Sequence, residues 1–186
     1  MQNTINLKTT LIEPLSLFEE ILNHNHKEHS YEIHREYIDQ NFLPDEIRVG
    51  LNTIKSSALY WFGAETIAQA QQLKKELEYF RENGSKTLER AIPAKNKYEN
   101  NNSKVLYVGV RQGGERKHDG LSNISGRIHQ HIGCYEKGST QSLQLHYWAK
   151  QPLTLHVIAL NNVDNDYLYI LEKLFAIKLK PLCGRH

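Results

Sequence analysis

Three short runs rich in β-branched and aromatic residues constrain the fold of this chain more than any other feature of its sequence. The runs are "SSALYWFGA" (56–64), "KVLYVGV" (104–110) and "LTLHVIAL" (153–160), and their length and composition are typical of buried strands. Residues 64–83, between the first two runs, are rich in strong helix formers. This alternation predicts an α/β or α+β domain with a small mixed β-sheet flanked by helices.

The other segments with apolar residues at helical spacing are predicted to be helices. They cover residues 15–26, 31–54 with a break near Pro44, 122–134 with Ser122 as the N-cap, and 164–180. Residues 143–149 are compatible with a helix or a strand. We therefore divide the chain into an N-terminal helical extension, residues 1–54, and a second domain, residues 55–186.

The net charge of +2 is unevenly distributed along the chain. Residues 1–54 contain four basic and nine acidic residues, so residues 55–186 carry a net charge of +7. A basic domain suits a polyanionic partner, because phosphate groups attract Lys and Arg over a long range. The same charge is also consistent with a surface that serves solubility alone.

The composition favours a cytoplasmic protein without a membrane partner. No stretch approaches the roughly 20 apolar residues that a membrane helix needs, and the acidic, proline-containing start does not resemble a signal peptide. Cys134 and Cys183 have no zinc-site spacing and are expected to be reduced thiols. The histidines at 24, 26, 29 and 34 match no standard zinc site either.

One helix and one isolated carboxylate carry candidate chemistry. Arg127 and His131 lie four positions apart, so both project from one face of the predicted helix. Arginine presents a fork of donors to phosphate oxygens, and histidine can orient or relay a proton. Glu172 is either a helix-edge residue that reaches solvent or a carboxylate held for a metal ion or an arginine. No helical salt bridge neutralises it, since the residues three and four positions away are Leu168, Tyr169, Phe175 and Ala176.

Four motifs occur in the order and with the local spacing of one nuclease family. They are "ALYWFG", "LYVGV", "SNISGRIHQH" and "LYILEKLFAIKLKPL". Through them residues 56–184 resemble the GIY-YIG nucleases, with Tyr60 ending the first tyrosine triplet and Tyr107 beginning the second. The family usually joins these two strands by a short hairpin, so this chain would carry an insertion at about 64–103. Without the pattern, the two tyrosines read as strand residues packed at a sheet edge.

The resemblance implies a metal-dependent DNA endonuclease that hydrolyses phosphodiester bonds, of the type II restriction kind, with Mg²⁺ or Mn²⁺ as cofactor. Glu172 would be the protein's metal ligand, and Arg127 would neutralise charge that grows on the phosphate. A tyrosine would act on the attacking water as its base or its orienter, assisted by His131. The catalytic residues implied are Tyr60, Tyr107, Arg127, His131 and Glu172.

We expect basic residues outside this catalytic set to contact the DNA. They are Arg111, Arg116, Lys117, Lys180 and Arg185. The family often has a basic residue directly after its second triplet, and Arg111 follows one position later. A restriction role would also predict a homodimer on DNA.

Two other functions remain open at this point. A nucleic-acid-binding domain that kept the fold and lost catalysis is compatible with Gly184, which falls near the family's closing asparagine. A protein-interaction domain could instead use the acidic N-terminal part to bind a basic partner.

Overall fold

The structure is a computed structural model, and it describes residues 15–21, 28–84, 88, 91–94, 96, 102–135, 137–138 and 140–184. The strands are β1 (Glu28–Ile33), β2 (Ser57–Gly63), β3 (Val105–Arg111) and β4 (Leu153–Leu160). The helices are α1 (residues 15–21), α2 (Arg35–Asp39), α3 (Asp45–Thr53), α4 (Ile67–Asn83), α5 (Asn123–Ile132) and α6 (Asn165–Leu179). A 3₁₀ helix, Leu145–Tyr147, occupies the segment that the sequence left open between helix and strand.

The four strands form one sheet in the order β1-β4-β2-β3, which confirms the predicted α+β class. All three strand pairs are antiparallel, so the expectation of a mixed sheet is wrong in this detail. A helix between two strands often signals a parallel crossover. Here α4 and the segment after it return the chain to the end of the sheet that β2 left, because Gly63 pairs with Val105.

Each face of the sheet carries its own hydrophobic cluster, because successive side chains of a strand point to opposite faces. On one face Tyr60 and Phe62 of β2 pack with the buried isoleucines of α5 and with leucines of α4. On the other face Leu59 and Trp61 pack with α6 through residues such as Phe175. The helices α5 and α6 therefore lie on opposite faces of the sheet.

The helices begin where the sequence supplies capping side chains. The Thr66 hydroxyl accepts a hydrogen bond from the Gln69 backbone N–H at the start of α4. Ser122, the predicted N-cap of α5, accepts from Ser125 and also donates to the Leu51 carbonyl, which ties this helix to α3. Caps of this kind satisfy N–H groups that the first turn leaves without partners.

The predicted N-terminal helical extension is wrong over residues 28–33. This segment is strand β1, and it pairs with β4 from Glu28 opposite Ile158 to Ile33 opposite Leu153. The strand therefore belongs to the same sheet as β2 and β3, and the described part of residues 1–54 is helical in α1, α2 and α3. The pairing partner lies more than 100 positions away in the sequence, so local propensity gave no signal for it.

Within the described part of the chain, no helix is both long enough and apolar enough to span a membrane.

Candidate active site

The residues that the motifs single out meet beside β3, the strand at one edge of the sheet. Tyr60 comes from β2, Tyr107 from β3, and Arg127 and His131 from α5. Glu172 lies on α6, which packs against the opposite face of the same edge strand. Because the described residues place no strand beyond β3 in the sheet, side chains from both faces can approach one another around this edge.

Hydrogen bonds join four of these side chains. The Arg127 Nε–H donates to the Tyr60 hydroxyl oxygen over 3.1 Å, and the His131 Nε2 lies 2.9 Å from the same oxygen. Arg127 also donates a hydrogen bond to the Tyr107 hydroxyl. The rings of Tyr107 and His131 are 5.0 Å apart between centroids. The structure thus brings together the four residues that the tyrosine triplets and the Arg/His pair predicted.

The glycine of the "YVG" motif makes room for this arrangement. Gly109 is the cross-strand partner of Tyr60, and the Tyr60 ring lies over its Cα. A Cβ at position 109 would come within 2.5 Å of the Tyr60 hydroxyl oxygen and 3.0 Å of the Tyr107 ring, which is closer than atoms pack. The motif glycine is therefore required so that both tyrosines can lie side by side.

The electrostatics of the cluster keep Tyr107 protonated and Arg127 charged. Burial raises the pKa of the Tyr107 phenol, Tyr60 and Glu172 raise it further, and Arg127 offsets only part of the effect. Burial lowers the pKa of the Arg127 guanidinium, but its interactions with Tyr60 and Tyr107 outweigh burial and raise the pKa overall. Arg127 is therefore a half-buried cation that two phenol oxygens hold in place.

Glu172 faces this cluster from α6 as a half-buried carboxylate. Burial raises its pKa, while the charges of Arg127 and Lys173 lower it in part. Among the described residues it makes no hydrogen bond and no ion pair closer than 4.0 Å. Glu172 thus lies close enough to Arg127 to feel its charge but forms no ion pair with it, and its oxygens remain available to a ligand.

A second arginine, Arg111, lies next to Arg127. Burial lowers the pKa of its guanidinium, and the positive charge of Arg127 lowers it further. Its Nε is buried and has no hydrogen-bond partner among the described residues. Two neighbouring guanidinium groups and an Arg111 Nε–H that has no partner among the described residues favour an anionic ligand.

The other predicted DNA contacts differ in their surroundings. The Arg116 side chain is only 13% exposed, bound to Asp119 at 3.1 Å and stacked over the Tyr135 ring at 4.7 Å. The Arg116 side chain fills the space over Gly126, where a Cβ would approach it within 3 Å. These contacts hold the loop before α5 in place. Lys117 and Lys180 are exposed. Arg185 lies outside the described residues.

Sequence reasoning missed one backbone group of the site. The Leu143 N–H donates to His131 Nδ1 over 3.1 Å, so the buried segment after α5 contacts the ring from the side opposite Tyr60. No motif marks this segment, because a peptide N–H is common to all residues except proline. Only the tertiary fold reveals it.

Comparisons of the chain with protein-family models, with curated proteins and with solved structures give no match. The part of the chain that the structure describes also contains no group of three or more His, Cys, Asp or Glu side chains that could together hold a metal ion. Of the four histidines at 24, 26, 29 and 34, the first two lie outside the described residues. His29 stacks on Tyr31, and His34 contacts the ring of Tyr37.

Proposed function

We propose that this chain is a metal-dependent DNA endonuclease of the GIY-YIG type that hydrolyses a phosphodiester bond beside β3. The observation that carries the proposal is the hydrogen-bonded cluster of Tyr60, Tyr107, Arg127 and His131, with Glu172 facing it from another helix. These residue types come from four different elements, and a purely structural role does not require a cation, two phenols and a carboxylate at one sheet edge.

The two arginines are the groups that bind the phosphate in this proposal. Arg127 is fixed by Tyr60 and Tyr107 and stays charged, so it can neutralise the negative charge that grows on the phosphate as the bond breaks. Arg111 has a buried Nε–H that finds no acceptor in the described part of the chain, and a phosphate oxygen would supply one. Together the two guanidinium groups offer the phosphate more N–H donors than one arginine does.

The two tyrosines have different roles in this proposal. Tyr107 keeps its proton, because burial raises its pKa, and it serves as a donor that orients water or a phosphate oxygen. Tyr60 is the better candidate for the base, a role that requires its phenolate form, because the N–H groups of Arg127 and His131 at its oxygen would stabilise that negative charge.

Glu172 is the residue that would hold a divalent metal ion in this proposal. A carboxylate that burial penalises, and that has no bonded partner among the described residues, gains from a cation. Mg²⁺ and Mn²⁺ accept one protein carboxylate together with water and phosphate oxygens. Glu172 would hold the ion, which when bound supplies a Lewis acid for a phosphate oxygen. Glu172 must be ionised for this, so acid conditions weaken metal binding.

The test is cleavage of supercoiled and linear DNA by the full chain with Mg²⁺, Mn²⁺ or EDTA. We expect cutting that requires the metal, is lost in Glu172→Gln and is retained in Glu82→Gln, which changes an exposed glutamate on α4. Cutting that survives Glu172→Gln would show that another carboxylate holds the metal. DNA that binds in a salt-dependent way but stays intact with every metal would favour the domain that kept the fold and lost catalysis.

A further inference from the structure

The hydrogen position on the His131 ring follows from two of its hydrogen-bond contacts. His131 is fully buried, and its Nδ1 accepts the Leu143 N–H at 3.1 Å. A ring nitrogen that accepts a hydrogen bond carries no hydrogen, so the neutral ring holds its hydrogen on Nε2. That nitrogen lies 2.9 Å from the Tyr60 oxygen and therefore donates to it. Tyr60 thus accepts one hydrogen bond from His131 and a second from Arg127.

The Leu143 peptide is itself fixed from both sides. Its carbonyl accepts a hydrogen bond of 2.7 Å from the Trp148 indole N–H. The next residue, Gln144, has a left-handed backbone with φ 55° and is fully buried. Its side-chain amide donates to the Gln130 carbonyl at 3.1 Å and to the Ser142 hydroxyl at 2.7 Å. A left-handed backbone at a residue other than glycine costs energy, and it persists only where the surroundings enforce it.

We propose that His131 is a positioning residue that holds the Tyr60 hydroxyl and neither gains nor loses a proton during the reaction. This proposal rests on the proposed nuclease function. The buried chain of hydrogen bonds runs from Trp148 through the Leu143 peptide and His131 to Tyr60. A second proton could only enter at Nδ1, where the Leu143 N–H already points at the ring.

The neighbouring groups on each packed element support the same assignment. Among the described ring contacts of His131, Tyr60 of β2 and Tyr107 of β3 are titratable. The cation Arg127 of its own helix reaches it through Tyr60. A nearby positive charge disfavours a charged imidazole, so this environment favours a neutral, fixed donor.

The first measurement is ¹⁵N NMR of the full chain with labelled histidine, using His131→Gln to assign the His131 signals. We expect an unprotonated Nδ1 and a protonated Nε2 that do not change from about pH 5 to about pH 8, the range in which free histidine titrates. A ring that carries its hydrogen on Nδ1, or that titrates in this range, would overturn the proposal. This readout is independent of nuclease activity, so it decides the assignment even if no DNA is cut.

The second measurement compares cleavage by His131→Gln and His131→Asn. A glutamine amide can place an N–H near the position of Nε2, whereas the shorter asparagine amide reaches only the position of Nδ1. We expect the kcat of His131→Gln to be at least about tenfold higher than that of His131→Asn. Thermal melting checks that both variants are folded. Equal loss of activity in two folded variants would indicate a proton relay instead.

If both histidine variants fail to fold, a variant at a different residue still tests the proposal. Trp148→Phe keeps the aromatic packing and removes the N–H that fixes the Leu143 carbonyl. We expect kcat to fall several-fold with an unchanged KM, while Trp61→Phe on the opposite face of the sheet leaves both unchanged. An unchanged kcat in Trp148→Phe would contradict the role of this hydrogen-bond chain.

Discussion

Arg127 and Tyr60 lie 67 positions apart in the chain, and the Arg127 Nε–H donates a hydrogen bond of 3.1 Å to the Tyr60 hydroxyl oxygen. The bond connects α5 to β2 across one face of the sheet. A terminal amino group of the same guanidinium donates to the Gln130 side chain at 3.2 Å. Because two of its edges are held, the guanidinium plane has a defined orientation toward the sheet edge.

Arg127→Lys should remove activity although the charge is retained. A lysine has no Nε–H fork, so it cannot hold the Tyr60 and Tyr107 oxygens and a phosphate at once. We expect kcat for DNA cleavage to fall by about 10²-fold or more, as for loss of a preorganised donor at a reacting oxygen. Arg35→Lys, which changes an exposed arginine paired with Asp39, is the control. A folded Arg127→Lys enzyme with nearly full kcat would rule out the proposed role of the fork.

Gly109→Ala should displace the tyrosines while leaving the sheet formed. The new methyl group would lie 2.5 Å from the Tyr60 oxygen, so one ring must move. We expect a lower melting temperature, by a loss of about 1–3 kcal/mol in the free energy of unfolding, and a larger loss of kcat. Gly63→Ala on the neighbouring strand is the matched control, because its Cβ would meet nothing closer than 3.8 Å. Similar behaviour of the two variants would contradict the steric argument.

Arg111→Gln should weaken DNA binding in a way that depends on salt. If Arg111 contacts a phosphate, its removal lowers the slope of log affinity against log salt concentration by about one. We expect about a tenfold loss of affinity at low salt, in keeping with the loss of one charged hydrogen bond. The measurement is a salt titration of DNA binding in EDTA, with Arg35→Gln as the control. A parallel shift of the whole line without a change of slope would assign Arg111 a structural role.

Glu172→Gln should stabilise the metal-free protein at neutral pH. Burial raises the pKa of Glu172, so the folded state binds this proton more tightly than the unfolded state. The stabilisation that comes from this tighter proton binding is complete below the pKa of Glu172 in the unfolded state. It is lost as the pH rises through the higher pKa of Glu172 in the folded state. We expect a melting temperature about 1–3 °C above wild type near pH 7.5 in EDTA, and no gain near pH 4. A variant less stable than wild type at both pH values would mean that the Glu172 charge is favourably paired.

Much of the fold could be predicted from the sequence because its signals are local. The apolar run around Tyr60 and the capping residue Ser122 each specify an element without reference to the rest of the chain. Strand β1 could not be predicted in this way, since it lies at the sheet edge and its inward-facing residues are His29, Tyr31 and Ile33, of which only Ile33 is buried. Its pairing with β4 decides its conformation.

The side chains of the candidate site were predictable to the extent that they belong to motifs. Tyr60, Tyr107, Arg127 and His131 do come together, whereas Arg116 turns inward over Gly126. Charge alone cannot distinguish an arginine that faces a ligand from one that packs in a loop. The Leu143 N–H was not predictable at all, because its role depends on a left-handed turn formed by buried contacts.

The pairing of Tyr60 with Gly109 makes the distance between the two tyrosines along the chain irrelevant to their distance in space. Strand register holds them, and register is set by the hydrogen bonds between β2 and β3 rather than by the connection. The connection between Gly63 and Val105 can therefore change in length without moving either hydroxyl group, provided that α4 is kept, because its Leu73 and Leu77 pack in the same buried cluster as Tyr60. For protein engineering, this connection is the position at which a recognition module could be exchanged.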